Sequence, residues 1–443
     1  MKTNLFFFIV FHLALGYMAY ALPVSGKIYA TILTVLTFFL IFYLKKIEHL
    51  VYWAAYIMAA EVFTRMTNGL FFYESHKYLA ALVFLAVLFR RGIKKEALPY
   101  FLYILFLLPA VFLTLLKEAD DPSYVINSIR KTILFYIAGP TTLGIGAMAL
   151  IKFPFKIDWY YRLMQFILYP ILSISVFVTV KTPDLREIIF RSSAMFATSG
   201  GFGPNQVATA LGLGVFAAFV LFLLEKNTAI KWLWLFFTAF IAYRSFLTFS
   251  RGGTITGIAM VLAFIFVSAR SDFSFFKSRN LKALFLSLVI IGASFYWVMQ
   301  VTQGMIFNRF AGLTVRGEKK SDITSGRLTI FMIETRDFIR HPILGTGVGR
   351  SAKERFERFG VKMASHTEIS RLMAEHGIFG ILALMILLFV PWIQGIAVKN
   401  NLFFYPFFVF WILTIMHSAM RLAAPAVMYA FSLMLMKYEE HHS

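Results

Sequence analysis

The sequence predicts an all-α, polytopic membrane protein of about 12–14 transmembrane helices with one helical insertion between them. Two observations carry this. Of 443 residues, 59% are hydrophobic and only 15% charged, with 52 Phe and a mean hydropathy of +0.74, far outside the range of a soluble globular domain. Residues 4–26, 204–224, 283–304 and 377–396 each run without an Asp, Glu, Lys or Arg. A helical span needs roughly 20 such residues, because every backbone polar group must be satisfied inside the segment.

Hydropathy places spans near 4–22, 28–44, 50–64, 78–89, 97–116, 132–151, 162–180, 204–224, 230–249, 254–269, 283–302, 377–397, 402–418 and 421–436. The first lacks a small-residue cleavage site and reads as a retained span. Alternate connections carry Lys45-Lys46, Arg90-Arg91 with Lys94-Lys95, Lys152 with Lys156, Lys226, the cluster Arg270, Lys277, Arg279 and Lys282, and Lys399. Such short basic loops belong in the cytoplasm. Both termini then fall inside and the polar stretch 303–376 falls outside. Three regions follow: 1–302, the N-terminal spans; 303–376, the external insertion; 377–443, the C-terminal spans and a short tail. No internal repeat, coiled coil or low-complexity tract interrupts them.

The two sides differ in the kind of cation they carry. This topology puts 13 Lys and 5 Arg inside, against 9 Lys and 16 Arg outside. Lys is a hydrated point charge suited to a topology signal, whereas the planar Arg fork binds phosphate or carboxylate with two parallel hydrogen bonds. An Arg-rich outer face points to an anionic ligand, the alternative being that these Arg pair with the acids on the same side. The net charge of +21 is dispersed among spans, so membrane topology and such a site explain it better than nucleic acid. With no Cys in the chain, disulfides, thiolate catalysis and Cys-ligated metal are excluded.

Three outer segments do something costly. In Phe249-Ser250-Arg251-Gly252-Gly253-Thr254, an Arg and two Gly open a span; a cation at a helix N-terminus is unfavourable unless an anion joins it. An interfacial Arg beside packing glycines is the alternative. Thr324-Ser325-Gly326-Arg327-Leu328 begins an amphipathic helix running to about Arg340 before His341-Pro342 breaks it, and Arg327 again sits in a first turn. The following Leu344-Gly345-Thr346-Gly347-Val348-Gly349-Arg350 lacks the strand and spacing of a nucleotide fingerprint and reads as a flexible turn. Ser365-His366-Thr367-Glu368 spells a capping box opening a short helix through His376. That places His366 in the first turn, where the helix dipole keeps the ring neutral and able to accept a proton. Glu368 is accounted for by capping alone. His366, Glu368 and His376 do not share a helical face, so neither metal nor other cofactor is expected. Glu61 and Arg65 are spaced to pair, and Asn127, Arg130, Lys131, Arg191, Asn205, Arg244 and Arg421 are further outer-side residues able to line a common cavity.

Taken together, Gly203-Pro204-Asn205-Gln206, Ser250-Arg251-Gly252-Gly253, Gly326-Arg327 leading to His341-Pro342-Ile343-Leu344-Gly345-Thr346-Gly347, and His366 followed by Gly377-Ile378-Phe379-Gly380 resemble the O-antigen ligase and polymerase superfamily of bacterial membrane glycosyltransferases. The resemblance covers roughly residues 200–395. The last motif usually has Asn, Ser or Gln after the His, where Thr367 stands here. It implies a GT-C-like fold in the bacterial inner membrane, with a periplasmic insertion over a membrane-level cavity. The implied donor is a glycan on undecaprenyl diphosphate and the implied acceptor the sugar core of lipid A or another glycan. Arg251 and Arg327 match the family's diphosphate-contacting arginines and His366 its catalytic histidine. Asn205, Gly252, Gly253, Arg191, Arg244, Glu368 and Arg421 are then the candidate substrate-binding residues.

The residues suit that chemistry without the name. Diphosphate is a good leaving group whose departing charge two or more Arg can stabilise without metal, and a neutral His366 can take the proton of an attacking hydroxyl. Direct displacement would invert the anomeric centre. Ligation onto lipid A core, polymerisation of repeat units and protein O-oligosaccharyl transfer share these needs. A transporter or flippase for an anionic lipid-linked glycan is the non-enzyme alternative, against which stand the lack of inverted repeats and the placement of charge at one face.

Overall fold

The computed structural model describes residues 2–69, 71–117, 132–184, 194–272, 274–313, 317–318, 326–360 and 365–437. Among these the chain is all-α and polytopic. Helices α1 (Lys2–Ala21), α2 (Val24–Tyr43), α3 (Ile47–Met66), α4 (Ser75–Arg91), α5 (Leu98–Lys117), α6 (Leu134–Leu150) and α7 (Ile157–Lys181) are followed by α8 (Pro204–Leu224), α9 (Thr228–Leu247), α10 (Arg251–Arg270) and α11 (Ser274–Val301). Four shorter helices come next: α12 (Met305–Phe310), α13 (Arg327–Arg340), α14 (Arg350–Phe359) and α15 (Glu368–His376). Then α16 (Ile378–Ile393), α17 (Phe404–His417) and α18 (Ala424–Ser432) complete the bundle. Two three-residue strands, β1 (Pro154–Lys156) and β2 (Leu435–Lys437), pair in parallel with Phe155 opposite Met436.

Each expected span coincides with a helix, but they are not equivalent. Eight are long and apolar enough to cross a bilayer: α1, α2, α5, α7, α8, α9, α10 and the 284–301 part of α11. The others are shorter or carry charge. The expected span 421–436 is corrected most: its helix, α18, has 9 residues, and at 1.5 Å each it reaches about 14 Å, half a hydrocarbon core. The chain between α17 and α18 is irregular and buried, with Ala419 in the left-handed region at φ 50°. Irregular backbone is tolerated at such depth only where protein satisfies it or a cavity meets it. Here the amide of Ala423 donates to Glu61 Oε2 at 2.6 Å, that of Met420 to Glu368 Oε2 at 3.3 Å, and Arg65 Nη1 donates to the carbonyl of Arg421 at 3.1 Å.

α8 is the hub, buried over nearly its whole length against α7, α9 and α10. Small residues permit its closest crossing. A Cβ on Gly253 would lie 2.3 Å from the backbone of Ala208 and Thr209, and one on Gly257 would lie 2.6 Å from Gly212. In lipid, where apolar burial gives helices no reason to prefer one another, such backbone proximity is a main source of association.

Alternate loops gather at opposite ends, as the charge pattern implies. At the Lys-rich end Asn401 Nδ2 donates to the carbonyl of Met434 at 2.9 Å, Lys399 pairs with Asp272 at 2.8 Å, and Arg91 donates to the carbonyl of Ile151 at 2.6 Å. At the Arg-rich end lie the turns before α8 and α10, the α17–α18 joint, and α12 to α15.

α13, α14 and α15 are held by buried polar groups rather than by a large apolar core, whereas α12 packs Met305 and Ile306 against Phe246, Leu247 and Val298. Glu334 on α13 accepts from Arg355 Nη1 of α14 at 2.9 Å, from Ser370 Oγ of α15 at 2.5 Å, and from Ser365 Oγ. Asp337 accepts from Ser351 Oγ at 2.8 Å. Glu334 is fully buried and Arg355 only 2% exposed, so removing one partner strands a charge out of water. Glu334→Ala is therefore expected to destabilise the fold by about 3–5 kcal/mol, and Glu334→Gln by clearly less. Melting curves of the detergent-purified variants check this order.

Candidate active site

The site is assembled where α10 and α13 begin and where the chain enters α15. Phe249 takes φ 54°, a strained conformation for a bulky residue, and so turns the chain sharply from α9 into α10. The Ser250 amide donates to Thr248 Oγ1 at 3.2 Å within this turn, and Ser250 Oγ donates to Asn205 Oδ1 at 2.8 Å. Asn205 thus ties the start of α8 to the start of α10. Arg251 follows as the first residue of α10. Gly326, at φ 79°, leads into α13, whose first residue is Arg327. Both arginines sit in the first turn, as their sequence positions imply.

A third cation joins them. Arg309, on the short helix α12, directs Nε at the carbonyl of Phe249 at 3.4 Å. Burial first, then the charges of Arg251 and Arg327, lower its pKa; Arg327 is lowered by burial and by Arg251. Arg251 and Arg327 thus bear on Arg309, and Arg251 on Arg327, so three half-buried guanidiniums share one locus. No sequence motif marks Arg309, because its partners lie on α10 and α13.

His366 is half-buried, and its Nδ1 is buried without a hydrogen bond. Its pKa is pushed down to about 4, by burial first and then by Arg421, Arg327, Arg355 and His417. The ring is neutral at pH 7, but not for the expected reason. Thr367, not Ser365, caps α15, with Thr367 Oγ1 accepting from the Ser370 amide at 3.4 Å. His366 therefore precedes the helix and burial among cations replaces the dipole argument. Ser365 is engaged instead with Glu334 and Arg355.

Arg421, on the irregular α17–α18 joint, donates from Nη2 to the carbonyl of Ser365 at 2.8 Å, which places a further guanidinium beside His366. Glu368 is buried and bound to Arg371, with Nε of Arg371 at 3.0 Å, so its carboxylate fixes the joint through Met420. Burial works against the Arg371 charge, yet Glu368 and Glu375 outweigh it and raise its pKa. Gly252 and Gly253 are used for close approach: a Cβ on Gly252 would lie 2.5 Å from His417 Cδ2. His417 donates from Nδ1 to the carbonyl of Leu413 at 2.7 Å, and its Nε2 lies 3.3 Å from Thr209 Oγ1. Arg244 is buried elsewhere, donating to the Val178 carbonyl at 3.0 Å and Thr182 Oγ1 at 2.7 Å, a set separate from that around His366. Arg191, Asn127, Arg130, Lys131, Thr324 and Ser325 lie outside the described residues.

The 344–350 turn is not flexible. Thr346 and Gly347 amides donate to the Ala374 and Glu375 carbonyls at 2.9 and 3.1 Å, capping the end of α15. A Cβ on Gly345, at φ 70°, would lie 2.4 Å from the Glu375 backbone. Among the described residues no three His, Asp or Glu side chains converge as metal ligands do.

Residues 236–385 match the family described as O-antigen ligase. This stretch contains α10 to α15, and hence Arg251, Arg309, Arg327 and His366. Over that stretch, about a third of the chain, the sequence is similar to the O-antigen ligase family. Arg421 and Asn205, which lie beside matched residues in space, fall outside the matched range. No curated protein matches the chain. The matched stretch lies within the multi-pass helical body described above.

Proposed function

We propose that this protein transfers a glycan from undecaprenyl diphosphate to a sugar hydroxyl, by direct displacement, at the periplasmic face of the inner membrane, with both termini in the cytoplasm. The observation that carries the proposal is the gathering of Arg251, Arg309 and Arg327 near a half-buried, neutral His366. As the acceptor oxygen bonds to the anomeric carbon, its proton passes to His366. The bond from that carbon to the diphosphate oxygen breaks, and the electron pair leaves on the diphosphate, where the guanidiniums meet the growing charge. Donors already positioned in a partly dry site stabilise such charge far better than water, which must reorganise. The segment 303–376 is the catalytic insertion in this reading, since it supplies Arg309, Arg327 and His366. Ligation to lipid A core is the preferred outcome; a repeat-unit polymerase or a protein O-oligosaccharyltransferase would use the same half-reaction.

Purified protein mixed with lipid-linked glycan and a core-oligosaccharide acceptor is expected to form product in detergent, with EDTA present. A protein that forms no product but moves the lipid-linked glycan across proteoliposome membranes would be a flippase, and the proposal would fall.

A further inference from the structure

Helix α13 is built inside out. Its carboxylates point inward: Glu334 is fully buried and Asp337 only 3% exposed. Its apolar side chains face outward, with Phe331 43%, Met332 56% and Ile339 70% exposed. With Leu328 and Thr335 they fall on one stripe at the spacing of helical turns. Thr335 turns its hydroxyl back onto the Phe331 carbonyl at 2.9 Å, which spares it from needing water. Thr329, Arg336 and Arg340 are exposed along one edge of the stripe. A helix bathed in water shows the reverse pattern, and a contiguous apolar stripe marks a surface that something other than water covers.

Three observations identify that cover as lipid. The helix is held between the ends of two apolar helices. At its start, Arg327 lies near enough to Arg251, the first residue of the span α10, for the two charges to bear on one another. At its finish, the Pro342 carbonyl accepts from the amide of Ile378, the first residue of α16, at 2.7 Å. With 14 residues α13 reaches about 21 Å, and tied at both ends it runs along the membrane surface rather than across it. The apolar surface is also continuous. Ile343, 66% exposed, and Leu344 carry it past the end of α13, and a Cβ on Gly377 would lie 2.5 Å from the Ile343 carbonyl oxygen. From there Ile378, Met385 and Phe389 extend it down α16, a helix with no charged residue. Finally, guanidiniums edge the stripe, as suits phosphates lying level with the boundary between headgroups and acyl chains.

We propose that α13 is an interfacial helix seated in the leaflet at the Arg-rich end, with Phe331, Met332 and Ile339 among acyl chains and Arg336 and Arg340 on anionic phospholipid headgroups. This seating follows from the membrane topology and stands whether or not the transfer reaction proposed above is correct. It also bears on the site. Arg327 opens the same helix, so the lipid contact sets the height of that guanidinium above the membrane.

The chain has no Cys, so single introduced cysteines can carry a nitroxide without background labelling. The full chain in phosphatidylglycerol nanodiscs is labelled at one site at a time, and power saturation with oxygen and with a nickel chelate reads the depth of each label. Met332→Cys and Ile339→Cys labels are expected about 5–10 Å below the phosphates, and a Met385→Cys label deeper. Thr329→Cys, on the arginine edge, should report phosphate level, and Lys226→Cys, in an exposed loop, should report water. All five positions are exposed, so an unchanged melting curve is expected for each. Labels at 332 and 339 lying in water would overturn the proposal. So would labels there shielded from both reagents and broadened by a second nitroxide, since another copy of the chain would then be the cover. In phosphatidylcholine nanodiscs the Met332→Cys label should lie shallower, and adding Arg336→Gln and Arg340→Gln should abolish the difference between the two lipids. Equal depth in both lipids before those substitutions would overturn the headgroup assignment.

Discussion

His366→Ala is expected to slow transfer by about 10²–10⁴-fold, the range of a lost general base, while donor affinity stays near that of the wild type. The ring holds no other residue through Nδ1, so its removal should leave the fold intact. The pH profile carries the same information. A base with its pKa pushed down to about 4 is already deprotonated at neutral pH, so kcat/KM should be flat from pH 7 down to about 5 and fall only as pH drops through about 4. A limb near 6.5 would mean a solvated ring. For stability the sign is equally definite: the unfolded chain binds the proton more readily, so acidification from about 6.5 towards 4 works against the fold, and nothing is lost above 6.5.

Removing the guanidiniums should cost nearly as much, with a different kinetic signature. Arg327→Ala or Arg251→Ala is expected to lower kcat by about 10²–10³-fold, the effect of deleting one donor aimed at developing charge, and to weaken donor binding as well. Lys at either position keeps the charge but loses the planar fork, and should recover only part of the rate. Because Arg251, Arg309 and Arg327 act on one another, combined substitutions should not add; the double variant should be less impaired than the product of the two single losses. Measurements of kcat and donor KM across the single, double and Lys variants check all three statements.

Which of these residues could be read in advance follows from how far each depends on sequence neighbours. Span positions and the sorting of loops to two ends depend on local hydropathy and charge, and both were legible. So were the starts of α8, α10 and α13, where Pro204, Ser250-Arg251 and Gly326-Arg327 are local helix-opening signals. The α15 cap was misplaced at Ser365; Thr367 caps instead because Glu334 and Arg355, 31 and 10 residues from Ser365, engage the Ser365 hydroxyl. Arg309 and the Glu334–Arg355 pair bridge different helices and leave no periodic trace. Gly252 and Gly253 were legible as close-approach positions, but not as places where His417 and α8 make the approach. The shortness of α18 was hidden because Leu422 and Ala423 continue the apolar run of 424–436, and the chain unwinds only where Glu61, Arg65 and Glu368 take over backbone groups.

The central claim is a single displacement in which His366 takes the acceptor proton while the arginines receive the diphosphate. The anomeric configuration of the product, read by NMR against that of a defined lipid-linked donor, tests it most directly. Inversion, with one undecaprenyl diphosphate released per bond formed, is the predicted result; retention, or a glycosylated protein intermediate, would contradict it.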